Sequence, residues 1–280
     1  MKKILVTGAS GLIGGLVVRR LGHKYEMSAL NRRPVEGIPC TRADIADLDA
    51  IMPAFSGIDM VVHMANYLDD MTSWEMHLRA GIIGTRNVYE AARLNGVQRV
   101  VYGSSGDTMT GYEYDPDLPY GALAAGKYPK TPPRMPLISH RDPVRPKSLY
   151  GTCKAFGEAL GSQYSDCYDL SIICIRLGAV LPEDRPQTRR QVSSYLSHAD
   201  CIDVVDKCLE LPPSHRFDVF RAASRSNCRW MDLDHTREVL GWEPTGDADT
   251  FEVGDSGGWH QVIPDYVERA ELVERRDRDH

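Results

Sequence analysis

Ile4-Leu5-Val6-Thr7-Gly8-Ala9-Ser10-Gly11-Leu12-Ile13-Gly14 carries a short apolar run into glycines at every third position, and an amphipathic stretch, Leu12–Leu21, follows at once. The run has the β-branched character of a buried strand. Glycines at 8, 11 and 14 permit a tight turn, close approach of backbone to a pyrophosphate, and close packing of helix on strand. The helix presents its unpaired N–H groups and the positive end of its dipole to that turn. Spaced glycines alone mark many structural turns. Between a strand and an amphipathic helix they predict a dinucleotide site, with Gly8, Ser10, Gly11, Leu12, Ile13 and Gly14 around the phosphates.

Outward from this loop, apolar runs alternate with longer helical patterns. Strands are predicted at Ile4–Thr7, Glu26–Leu30, Met60–Met64, Arg99–Tyr102 and Ser171–Arg176, with another just before Asp44. Helices are predicted at Leu12–Leu21, Leu48–Phe55, Ser73–Leu94 and Ser148–Tyr164. Strands apolar on both faces and separated by helices belong to a parallel sheet covered on both sides. The fold class is therefore α/β, built on a parallel sheet. Later come a helix near Ala199–Leu211, a strand at Phe217–Ala222, a short helix ending at Gly241, and a charged tail from about Glu268.

One segment breaks the rhythm. Asp107 to Pro146 holds eight of the seventeen prolines and shows no period. It is neither a long helix nor a central strand. A loop of this length in a compact domain is usually functional or disordered. A lid over a substrate is the expectation, and a plain surface excursion is the alternative.

The formal charge of −6 leaves no basic excess to neutralise phosphates, which speaks against a nucleic-acid partner. The seven cysteines, Cys40, Cys153, Cys167, Cys174, Cys201, Cys208 and Cys228, form no CxxC pair. They read as reduced thiols, with no disulfide or metal framework. Cys174 and Cys208 lie in apolar runs and are expected in the core, and Cys153, beside Lys154, is read as an ordinary thiol. The apolar run after Met1-Lys2-Lys3 ends at Gly8, too short for a signal peptide or a membrane span. The cytoplasm is the expected location.

At the end of the second strand an acidic residue would bond the ribose 2′-hydroxyl of NAD. This chain has Asn31-Arg32-Arg33 there. Guanidinium groups suit a 2′-phosphate, so NADP is expected over NAD. The alternative is that these arginines are solvated loop charges. Asp44 either contacts the adenine amino group or caps the next helix.

Tyr150-Gly151-Thr152-Cys153-Lys154 places a phenol and an ammonium on one helical face. Hydride transfer at an alcohol carbon needs a group that moves the hydroxyl proton. A free tyrosine titrates near 10, and making it a base near neutrality takes roughly 4 kcal/mol. A neighbouring ammonium and the positive nicotinamide both act in that direction. A serine at the end of the fifth strand, Tyr102-Gly103-Ser104-Ser105, would hold the substrate oxygen. Ser105 is preferred to Ser104, with Thr108 in reserve. His63 is read as a structural residue of a buried strand, and Trp74, Trp230 and Trp242 as packing residues.

The stretches TGASGLIG (7–14), ADIAD (43–47), VVHMAN (61–66), GTRNVYEAARLNGVQRVVYGSS (84–105), SLYGTCKAFGE (148–158) and LGWEP (240–244) resemble the extended short-chain dehydrogenases, the NAD-dependent epimerase/dehydratase family. The resemblance implies catalytic Ser105, Tyr150 and Lys154. It places Asp44, Ile45, Met64, Ala65 and Asn66 at the coenzyme, and implies a homodimer built on two helices per subunit. It also implies a doubly wound parallel sheet of the Rossmann type, a dinucleotide domain over residues 1–176 that carries the 107–146 insert, and mainly a small C-terminal substrate lobe over 177–280. LYGTCKAFGE, IRLGAV and YLSHADCIDVVDKCLE look most like the uronate dehydrogenases, in which an arginine matching Arg176 holds the sugar carboxylate. The alternative for Arg176 is a structural ion pair at a strand end. Ser104, Ser105, Gly106, Asp107 and Arg176 are the implied substrate contacts. The chain departs from the pattern at Gly81, where the family usually has asparagine, and at Gly106-Asp107, which replace Asn-His.

The expected activity is NAD(P)-dependent oxidation or reduction at a hydroxyl-bearing carbon of a small polar substrate, a sugar or sugar acid. Two alternatives are a nucleotide-sugar epimerase or dehydratase, for which the C-terminal region is short, and a non-catalytic NADP sensor, against which the Tyr150–Lys154 pair argues.

Overall fold

A computed structural model of the chain describes residues 1–68, 73–115, 118–120 and 136–254. The centre of the proline-rich insert and the charged tail lie outside the described residues.

Seven strands form one parallel sheet in the order β3-β2-β1-β4-β5-β6-β7: β1 Lys3–Thr7, β2 Glu26–Asn31, β3 Cys40–Arg42, β4 Met60–His63, β5 Arg99–Ser105, β6 Ser171–Leu177 and β7 Phe217–Ala222. Val6 pairs with Ala29 of β2 on one side and Val62 of β4 on the other, so central residues are buried on both faces. Helices α1 Leu12–Leu21 and α7 His198–Glu210 close one face around Val17, Leu21, Val204 and Cys208. The other face is closed by α2 Leu48–Ile51, α4 Thr85–Leu94 and α5 Leu149–Cys167, around Ile51, Val88, Tyr89 and Tyr164. Cys174 and Cys208 are fully buried. Strand order reverses between β1 and β4, and there the strand ends open a crevice. No helix among the described residues is long and apolar enough to cross a membrane.

Three departures from the sequence expectation bear on the site. β5 runs three residues past Tyr102, with Gly103, Ser104 and Ser105 paired to Ile175, Arg176 and Leu177. The polar residues remain in the strand because partners from α5 and β6 satisfy them. The helix predicted over 73–94 is continuous from α3 Trp74–His77 into α4, but Leu78–Gly84 between them is a π-helical segment. Such segments are uncommon and recur at functional sites. The sheet also runs past residue 176, since α7 and β7 belong to its layers. Two short helices, α6 Arg189–Val192 and α8 Asp234–Leu240, complete the chain after β6.

The described ends of the insert are docked. Gly106–Tyr114 is a 3₁₀ helix, which a search for 3.6-residue periodicity misses. Its Gly111 N–H donates to the Arg145 carbonyl at 2.6 Å, and Arg145 N–H donates to the Thr108 carbonyl at 2.7 Å. Met109, Tyr120 and Ile138 pack on Trp230 and Met231 in a small core of their own. Trp230 and Trp242 are buried packing residues, whereas Trp74 is 55% exposed and packs in no core. It stands at the first turn of its helix.

Candidate active site

A cleft of about 550 Å³ lies along the strand ends. Its outer half is lined by the residues predicted to meet a dinucleotide: Gly8, Ser10, Gly11, Leu12, Ile13, Gly14, Asn31, Arg32, Arg33, Asp44, Ile45, Met64, Ala65 and Asn66. Gly8 has φ +72, and a Cβ on it would lie 2.7 Å from the Ala65 nitrogen. A Cβ on Gly14 would lie 2.3 Å from the Gly8 carbonyl oxygen. Larger residues would lift the loop off the strand, so the glycines keep it flat against the helix end. No side chain caps α1 and its first turn has no acid, so its terminal N–H groups stay available to an anion. The Asn31 amide donates to Ser10 Oγ at 3.0 Å and to the Arg33 carbonyl at 2.7 Å, fixing the turn that holds exposed Arg32 and Arg33 at the rim. Asp47, not Asp44, caps α2, accepting from the Ala50 N–H at 3.1 Å. Asp44 lines the cleft and pairs with Arg79 Nε at 3.1 Å. These residues fit a dinucleotide.

The inner half holds the residues predicted to be catalytic. Ser148 caps α5, accepting from the Gly151 N–H at 2.9 Å, and so sets the first turn that carries Tyr150 and Lys154. Lys154 is buried; its Nζ donates to the Gly103 carbonyl at 2.5 Å and stands 5.5 Å from the centre of the Tyr150 ring. Burial pushes the Lys154 ammonium down to about 7, although Cys153, Cys174 and Glu158 act the other way. The Tyr150 phenol is held above its ordinary value by burial and then by the charge of Asp107, and a hydrogen bond with Ser105 opposes both. Ser105 Oγ accepts from the Asp107 N–H at 3.1 Å. Strand alternation separates the two serines. Both line the cleft, but Ser104 Oγ turns to α5 and donates to Glu158 Oε1 at 2.6 Å.

The NAD dependent epimerase/dehydratase family model matches residues 4–200. The chain belongs to the NAD-dependent epimerase/dehydratase family. It is 32% identical over 256 residues to the uronate dehydrogenase of Agrobacterium fabrum, covering 90% of this chain and 87% of that one. It is 31% identical over 261 residues to the L-arabinose 1-dehydrogenase (NAD(P)(+)) of Haloferax volcanii, covering 89% of this chain and 99% of the relative. A solved mutant of the Agrobacterium tumefaciens uronate dehydrogenase, complexed with NAD, superposes with a TM-score of 0.75 at 31% identity, covering 90% of this chain and 87% of that one.

Several residues read from the epimerase/dehydratase motifs stand elsewhere than expected. Arg176 does not line the cleft. It forms a two-point ion pair with Glu158, Nε to Oε1 at 2.9 Å and Nη2 to Oε2 at 2.8 Å, with both side chains buried. Gly106 and Asp107 lie behind Ser105 rather than on the cleft wall. A Cβ on Gly106 would meet Arg221 Nη1 at 2.5 Å, and the half-buried Asp107 carboxylate accepts from Ser148 Oγ at 3.3 Å. Thr108 is buried, its hydroxyl donating to the Ser105 carbonyl at 2.9 Å. At Gly81, Cys153 occupies the space: an added Cβ would lie 2.7 Å from the Cys153 Cβ, so the family asparagine does not fit beside that cysteine. The Cys153 thiol is pushed up by burial, in keeping with an ordinary thiol. His63 is structural, with Nδ1 2.7 Å from Thr7 Oγ1, and burial and then the Lys154 charge push it down to about 3.

The structure adds Arg79, Ala80 and the Gly178–Pro182 turn to the cleft wall, and Glu158 beneath it. Arg79 sits on the π-helical segment, whose position no periodicity reveals. Glu158 falls within SLYGTCKAFGE, but nothing in that pattern pairs it with a strand residue.

A buried lysine that loses affinity for its proton destabilises the fold. In the unfolded chain it titrates near 10.5 and in the fold near 7. The cost is therefore full below pH 7 and is relieved as pH rises from 7 toward 10.5. Lys154→Met is expected to raise Tm at pH 7 by about 2–4 °C for each kcal/mol recovered, while activity is lost. Thermal melts of both proteins at pH 7 and pH 10 check this, the gap between them narrowing at the higher pH.

Proposed function

We propose that the protein is a nicotinamide-dependent oxidoreductase of the extended short-chain dehydrogenase type, moving hydride between the coenzyme and a hydroxyl-bearing carbon of a sugar or sugar acid. The observation that carries this reading is one cleft with the glycine loop and Arg32–Arg33 at one end and Ser105, Tyr150 and Lys154 at the other. When bound, a nicotinamide coenzyme supplies the hydride acceptor. Ser105 holds the substrate oxygen and Tyr150 takes the hydroxyl proton. Lys154 favours the phenolate, because an ammonium beside the Tyr150 ring stabilises negative charge there. Lys154 also holds the nicotinamide ribose.

The preferred coenzyme is NADP. Arg32 and Arg33 stand at the cleft rim, and no acidic residue occupies the end of β2. Each charge-assisted contact to a 2′-phosphate contributes about 1.5–3 kcal/mol. Arg32→Ala with Arg33→Ala is therefore expected to weaken NADP binding by about 10–100-fold and leave NAD nearly unchanged, measured by fluorescence titration. The same reading includes a cytoplasmic enzyme acting as a homodimer, which cell fractionation and sedimentation velocity test.

The direct test is reduced-coenzyme formation by the purified protein, with NAD and NADP separately, on free aldoses and uronic acids. Coenzyme that stays oxidised while a nucleotide sugar is isomerised would replace this reading with the epimerase one.

A further inference from the structure

Five charged side chains line the cleft: Arg32, Arg33, Asp44, Arg79 and Lys154. Lys154 stands at the inner end, bonded to the Gly103 carbonyl. The other four lie at the outer end and come from three separate segments. Arg32 and Arg33 follow β2, Asp44 follows β3, and Arg79 belongs to the π-helical segment Leu78–Gly84. Met76, Arg79 and Ala80 share one helical face, and all three line the cleft.

Arg79 and Asp44 meet. Arg79 Nε donates to Asp44 Oδ2 at 3.1 Å, and Asp44 Oδ1 accepts from the Ala46 N–H at 2.9 Å. Burial raises the Asp44 carboxyl, but the Ala46 N–H, Arg79 and then the charge of Arg32 outweigh it and hold it below its ordinary value. Two guanidinium groups from different segments therefore act on one carboxylate. The pair engages Arg79 through Nε alone. The Arg79 side chain is 58% exposed, and among the described residues its Nη1 and Nη2 have no hydrogen bond. Anchored at Nε, the guanidinium keeps its Nη1–Nη2 edge for a second, two-point partner.

Three guanidinium groups against one carboxylate leave two positive charges unmatched at this end of the cleft. The hydroxyl pair of an NAD ribose is neutral and does not match them. A phosphate monoester carries about 1.5–2 negative charges near neutrality and three acceptor oxygens, enough for arginines from two segments. An exposed ion pair contributes only about 0–1 kcal/mol, so sharing Arg79 between Asp44 and a phosphate costs little.

We infer that Arg79 is a coenzyme-specificity residue, binding the 2′-phosphate of NADP from the π-helical segment together with Arg32 and Arg33. The inference rests on the NADP reading above and deepens it.

The test is isothermal titration calorimetry of the full chain with NADP, NAD, adenosine 2′,5′-bisphosphate and adenosine 5′-monophosphate. Arg79→Gln is expected to weaken NADP and the bisphosphate about tenfold, and to leave NAD and the monophosphate within about twofold. Arg79→Lys keeps the charge but not the fork, and is expected to fall between wild type and Arg79→Gln for NADP. Loss of NADP binding in Arg32→Ala with Arg33→Ala but not in Arg79→Gln overturns the inference alone, as does an equal loss of NADP and NAD in Arg79→Gln. Wild type that binds NADP no more tightly than NAD, and is unmoved by the loss of Arg32 and Arg33, overturns the NADP reading and the inference with it.

Discussion

Tyr150→Phe is expected to lower kcat by about 10²–10⁴-fold and leave coenzyme binding intact. The phenol oxygen meets Ser105, with Lys154 Nζ 5.5 Å from the ring centre, and phenylalanine removes only that oxygen. The ring stays, so the packing of α5 on the Gly106–Tyr114 turn is preserved. Stopped-flow turnover beside a coenzyme titration separates the two effects. A variant that keeps more than a tenth of the wild-type rate would remove Tyr150 from proton transfer. The rate of the wild type should also fall on the acid side. Burial and then Asp107 favour the neutral phenol, and the hydrogen bond with Ser105 opposes them. Rising pH favours loss of the phenol proton and so raises kcat, although Lys154, held near 7 in the coenzyme-free cleft, loses its charge before that proton leaves.

Glu158→Ala has the largest expected effect on stability. It leaves the Arg176 guanidinium and the Ser104 hydroxyl in a buried site without their acceptor. Breaking a buried pair from one side costs about 3–5 kcal/mol, against a total stability of about 5–15 kcal/mol. Urea unfolding should show a midpoint lowered in proportion, with an unchanged slope. The double substitution Arg176→Met with Glu158→Leu removes both charges and is expected to recover most of that loss, because an apolar pair of similar volume is tolerated in such positions. It also decides what Arg176 does. If Arg176 only braces the β5–β6 end, the double variant keeps its KM for every substrate. A rise in KM confined to sugar acids would return Arg176 to the substrate.

The glycine loop, the Tyr150–Lys154 spacing and the alternation of strand and helix were legible because each is a local pattern. A turn that needs glycine, two residues on one helical face and a strand apolar on both sides leave their mark within a few neighbouring positions. α1 is predicted at Leu12–Leu21 and found there, and β7 is predicted at Phe217–Ala222 and found there. The 3₁₀ helix at Gly106–Tyr114 left no such mark. Its buried residues Thr108, Met109, Thr110, Gly111 and Glu113 are held by α5 and the Arg145 backbone rather than by a repeating apolar face.

The sequence by itself determined the class of fold and singled out the glycine loop and the Tyr150–Lys154 pair, which line one cleft. The tertiary structure alone decided which of two adjacent serines has its hydroxyl held by Glu158, and that Arg176 is already spoken for. It also decided that Cys153 fills the space beside Gly81 and that Glu113 neutralises Arg190 across 77 residues of chain. These are contacts between segments far apart in sequence. The free energy of a buried charge depends on what lies a few ångströms from it in space, which residue order along the chain does not record.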